Sequence, residues 1–147
     1  MKRLVLVALV AACDTRAISV DERCRVTVDA SALGPVEPLQ EVTLPARPMS
    51  TPWDTRARLG GLDAQVTAVA RTDCLVCDSC RADAGCDACD TCAACTDSCA
   101  TCVETLTFVV PETIASGPAD LLVFNRNGAS GPVRVTVAPG ADTAAAP

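Results

Sequence analysis

Nine cysteines fall within a single stretch of 29 residues, and no other feature limits the possible folds of this chain so strongly. They are Cys74, Cys77, Cys80, Cys86, Cys89, Cys92, Cys95, Cys99 and Cys102, mostly three apart. Between them lie mostly Asp, Ala, Ser and Thr, with Leu75 and Val76 as the only large aliphatic side chains. Such a segment cannot fold by burying apolar surface. As an uncrosslinked loop it would far exceed the usual length within a compact domain. Either covalent bonds or a metal must organise it, or it stays a reduced, disordered loop.

The start of the chain bears on that choice. Met1-Lys2-Arg3 is a short cationic opening, followed by an apolar run over residues 4–12. As a helix this run reaches roughly 13 Å, too short to span a hydrocarbon core of about 30 Å. A cationic start, a short apolar run and small residues read as an export signal over 1–12. Val10-Ala11-Ala12-Cys13 resembles the lipobox of bacterial lipoproteins. That resemblance implies that Cys13 becomes the first mature residue and carries the lipid, with residues 13–22 as a polar tether. The expected location is exported and lipid-anchored to a bacterial membrane, with Asp14 leaving the choice of membrane open.

With Cys13 set aside, ten cysteines remain, an even number that includes Cys24. In an exported protein the leading reading is a set of disulfides among Cys24 and the nine clustered residues. Their connectivity is not readable from spacing. The alternative is a thiolate site for zinc or copper, because paired C-x-x-C units supply soft sulfur ligands. Cys89, Cys92, Cys95 and Cys99 also match the spacing of an iron–sulfur run, although Ala100 follows where proline is usual.

The rest of the composition excludes whole classes of function. The chain has no histidine, so histidine bases, Ser/His/Asp triads and His-ligated zinc are ruled out. Its 18 acids exceed its 12 bases, and the net charge of −6 argues against nucleic acid. No nucleophile with a base and no cofactor loop stands out, so the expectation is a protein that is not an enzyme and needs no cofactor. Trp53, the single tryptophan, is expected to pack over one end of the fold, with an exposed binding aromatic on a loop as the alternative.

Outside the cysteine segment, short period-2 alternations recur between turn residues. Strands are expected at 25–28, 41–44, 56–59, 64–70, 105–110, 121–125 and 133–137. Leu106, Phe108 and Val110 alternate with polar or lesser apolar neighbours, as do Val133, Val135 and Val137. Pro45, Pro48, Pro52, Gly60-Gly61, Pro111 and Gly117-Pro118 punctuate the connections. The segment from Arg58 through Gly60-Gly61 to Val66 is similar to the "v-x-v-G-G-x-x-A-x-v" stretch of IPT/TIG domains. Val110-Pro111, Gly117-Pro118 and the run from Leu121 to Ser130 resemble that family's second half. The resemblance implies an all-β, immunoglobulin-like sandwich over 23–138, with residues 73–103 as a Cys-rich insertion in one hairpin and 139–147 as a disordered tail. It also implies a noncatalytic structural or adhesive role toward an unknown protein or envelope partner; the clustered thiols keep an envelope metal-binding protein, for zinc or copper, as the alternative.

Overall fold

The alternating segments form strands, and their hydrogen bonding closes on itself. The computed structural model describes residues 25–86 and 92–140. Among them are β1 (Arg25–Val28), β2 (Glu41–Arg47), β3 (Arg56–Leu59), β4 (Leu62–Thr72), β5 (Val103–Val109), β6 (Gly117–Asn125), β7 (Gly128–Ser130) and β8 (Val133–Val137). Helix α1 (Leu75–Ala84) and a 3-10 turn at Ala93–Cys95 lie between β4 and β5.

In an immunoglobulin-like sandwich two sheets meet through side chains, and backbone pairing stops between them. Here β3 pairs antiparallel with β4, through Ala57↔Ala64 and Leu59↔Leu62. Its other edge pairs antiparallel with β6, from Arg56↔Phe124 to Leu59↔Leu121. The strands therefore run β3-β4-β5-β2-β1-β7-β6 and back to β3, a closed barrel of seven strands. The sandwich expectation and the IPT/TIG resemblance are overturned by that closure. Inward–outward alternation is the same in a sandwich and a barrel, so the side-chain pattern could not separate them. Two backbone features help the sheet to close. A bulge between Val66 and Ala68 irregularises β4, and bulges bend strands and increase their twist. The nine-residue β6 also divides one edge between β8 and β7 while giving the other to β3.

Local chemistry explains the turns. Gly60 and Gly61 both have positive φ, 59° and 83°, and connect the Leu59↔Leu62 pair in a two-residue hairpin. Two successive residues with positive φ suit glycine far better than any residue with a Cβ. Pro45 does not end β2, contrary to its reading as punctuation. Its carbonyl accepts the Asp29 N–H, so its donorless nitrogen lies on the same strand edge, where β1 has ended. The final alternating region contains two strands: β7 and β8 both pair with β6.

The barrel is filled by modest side chains. Phe108, Leu59, Leu106 and Leu121 are the largest fully buried ones, joined by Val26, Val36 and Val123. A barrel of about this strand number has an interior that side chains can fill. Each buried Leu or Phe contributes about 1.5–3 kcal/mol.

Closure makes a specific prediction for hydrogen exchange. Amides in Arg56–Leu59 should exchange slowly whether they face β4 or β6. Fast exchange of the β6-facing set, measured by NMR, would mean an open edge.

Candidate functional site

Two sequence features meet at one end of the barrel, the cysteine segment and the loop carrying Trp53. The cysteine segment leaves β4 at Thr72 and returns at Val103, and these two residues are cross-strand partners. Asp73, with φ 56°, turns the chain out of the strand into α1. Asp78 N donates to Cys74 O in the first turn. Gly85 ends the helix in the left-handed region, and its N–H and that of Cys86 close on Ala82 and Arg81 carbonyls.

Four disulfides join the outgoing and returning legs: Cys74–Cys102, Cys77–Cys99, Cys80–Cys95 and Cys86–Cys92. They are nested, each lying inside the one before it. The three-residue spacing that marks the sequence places Cys74, Cys77 and Cys80 along one side of α1 and its N-cap, within reach of the returning leg. Among the described lobe residues, the buried ones are Cys74, Cys77, Cys92 and Cys95. Sulfur thus forms the lobe's interior. Cys92 Sγ and Cys95 Sγ lie 3.5 Å apart, putting the two bridges nearest the tip in contact. The bridges span 6, 15, 22 and 28 residues, so successive outer ones enclose only nine, seven and six more. On chain-entropy grounds each increment stabilises by about 2–3 kcal/mol.

An ion-pair chain fastens the lobe to the barrel. Glu104 lies in the inward phase of β5, two residues before Leu106, and its side chain is 6% exposed. Its Oε2 accepts Met49 N–H at 2.8 Å, and Oε1 accepts Arg71 Nε at 2.7 Å. Arg71, its cross-strand partner on β4, extends its other two nitrogens to the Asp78 carboxylate at 3.1 and 2.9 Å. Hydrogen bonds to Asp78, and then to Glu104, outweigh burial and hold the guanidinium more firmly protonated than usual. Strand, strand and helix therefore converge on one arginine.

The Trp53 loop reaches the same place. Met49 N–H is bound by Glu104, and Asn125 Nδ2 donates to Pro48 O at 2.9 Å. Asp54 accepts from Ser50 Oγ at 2.8 Å, from Thr51 N and Oγ1 at 3.1 and 3.2 Å, and from Arg126 Nε. Burial pushes the Asp54 carboxyl up, but these donors together with the Arg126 charge hold it below its ordinary value. Trp53 itself is 91% exposed. The expectation that it packs over the end of the fold is therefore corrected: its neighbours secure the loop and leave the indole in water.

Of the residues singled out from sequence, eight cysteines meet in the lobe as four bridges. Cys13, Cys24 and Cys89 lie outside the described residues, as do the export signal, the whole tether and residues 141–147. Cys92, Cys95 and Cys99, three members of the iron–sulfur run, belong to three different bridges. Cys74, Cys102 and Glu104 present atoms within 4.8 Å of one another. The two sulfurs share a bond there and the carboxylate already has two donors, so in this oxidised form the group offers no thiolate. Sequence reading missed Glu104, although its phase with Leu106 and Phe108 was a signal. It also missed α1, whose trace lies in the cysteine spacing itself. Multiple structural disulfides belong to oxidising compartments, so this is an extracellular or periplasmic domain. Among the described residues no helix is long and apolar enough to cross a membrane.

Two outcomes follow from this geometry. Cleavage after Arg71, Arg81 and Arg126 without reductant should leave peptides 72–81 and 82–126 joined by three bridges, separating only on reduction. Mass spectrometry showing them free before reduction would refute the ladder. Arg71→Gln should cost about 2 kcal/mol in denaturant unfolding, since it strands a buried carboxylate. Asp78→Asn, at the exposed end, should cost under about 1 kcal/mol.

No protein-family model matches the chain, and no curated protein matches its sequence.

Proposed function

We propose that this chain is a noncatalytic module of the bacterial cell envelope, held at the membrane by a lipid on Cys13 and presenting a rigid surface to a binding partner. The observation that carries this reading is the nested ladder of four disulfides fastened to the barrel through Arg71. Its sulfurs are committed to bridges, which favours a bracing role over thiolate chemistry. A barrel interior filled with Val, Leu and Phe supports the same conclusion, because it makes the outer surface the place for recognition. So does the absence of histidine, which removes the commonest general base. The acidic balance would keep the domain off anionic headgroups, leaving attachment to the acyl chains on Cys13.

Expression with an alkyne-tagged fatty acid tests the proposal. The parent should incorporate label and sediment with membranes, whereas Cys13→Ser should lose the label and become soluble after export. Equal labelling and sedimentation of the two proteins would overturn the anchor.

A further inference from the structure

The barrel wall beside Trp53 carries a feature that bracing does not explain. Pro52, Trp53 and Thr55 border an open groove of about 340 Å³ whose other wall is the outer surface of β3 and β4. Small-molecule sites begin at about this size, roughly 300 Å³. The outward side chains along it are Arg56, Asp63 and Gln65, while Ala57 and Ala64 face each other across the two strands. An indole left 91% in water contributes little to folding, yet the loop beneath it is bound through Asp54, Thr51, Asn125 and Arg126. A loop already held in place loses little backbone freedom when its side chain binds, which is how preorganisation raises affinity.

We infer that this groove is a binding site for neutral sugar rings, with Trp53 as the stacking surface and Arg56, Gln65 and Asp63 as partners for hydroxyl groups. The chemistry of the lining selects this class. The negative face of an indole attracts the weakly positive C–H groups on one face of a pyranose. Planar guanidinium, amide and carboxylate groups nearby can donate to and accept from hydroxyls on the ring edge. A polyanion is disfavoured, because the groove lining offers a single cation, Arg56, together with the acid Asp63, and the whole chain is negative. Asp63 also accepts from Arg58 Nε at 2.7 Å in a solvent-exposed ion pair. The inference rests on the binding-module reading and supplies its ligand class.

Trp53 is the sole tryptophan and the chain has no tyrosine, so intrinsic indole fluorescence reports this groove alone. The test uses oxidised full-length protein carrying Cys13→Ser, titrated with cellotetraose, maltotetraose and tetraacetylchitotetraose. At least one sugar should shift the emission to shorter wavelength in a saturable way. By calorimetry, Trp53→Ala should weaken that binding at least tenfold and Gln65→Ala about threefold, with the circular dichroism of each variant unchanged. No saturable shift with any of the three sugars, or undiminished binding by folded Trp53→Ala, would overturn the inference. A shift produced only by phosphatidylethanolamine–phosphatidylglycerol vesicles would also overturn it and assign the indole to the lipid surface. Failure with sugars leaves the envelope-anchored module intact, because that reading stands on the separate Cys13 fractionation.

Discussion

Strand β6 is the member on which the architecture depends. Its Leu121–Phe124 backbone hydrogen-bonds to β3, while its opposite edge is shared between β8 and β7. Without the β3 contact, the row of strands would be an open sheet with two exposed edges, and its apolar face would need another layer to cover it. With that contact, the sheet supplies its own second layer, and Leu59, Leu106, Phe108 and Leu121 are sealed inside. Closure also gathers the ends of β2, β4, β5 and β6 at one rim. There Glu104 can meet Met49 and Arg71, and Asn125 can meet Pro48.

The lobe solves a different problem by different means. It has almost no aliphatic side chains, and sulfur is what it buries. Its stability comes chiefly from restricting the unfolded chain, with the hydrophobic effect playing a minor part. The two kinds of structure join at Arg71, whose guanidinium satisfies an inward barrel carboxylate and an outward helix carboxylate together. A lysine there would have one nitrogen to divide between partners on different elements. The planar fork of arginine reaches both.

Much of the strand content was legible, because half-buried strands announce themselves by period. The expected 25–28, 56–59 and 133–137 coincide with β1, β3 and β8, and the strands flanking the cysteines do pair as one hairpin. Closure was not legible, since which edges meet is decided by twist, bulge and register, and these leave little mark on composition. Helix α1 was hidden by its own chemistry: its organising side chains are cysteines, so apolar periodicity has almost nothing to register. Trp53 was misplaced for a related reason. Residue type favours burial for an indole, but the polar triad of Ser50, Thr51 and Asp54 around it organises the loop without using it as core.

The outermost bridge sets the two ends of the lobe only 4.3 Å apart at Cα, close to the spacing of facing residues in an antiparallel pair. To the barrel, the whole sulfur-rich segment is therefore geometrically equivalent to a tight turn. Such an insertion can be gained, lost or exchanged during evolution without moving a strand, because the host hairpin feels only the two positions where the chain departs and returns. The same property makes the lobe a portable cassette. Any protein with an exposed antiparallel hairpin in an oxidising compartment has a socket of the right width, and recipients offering a cross-strand Arg–Glu pair at its base would supply the fastening as well.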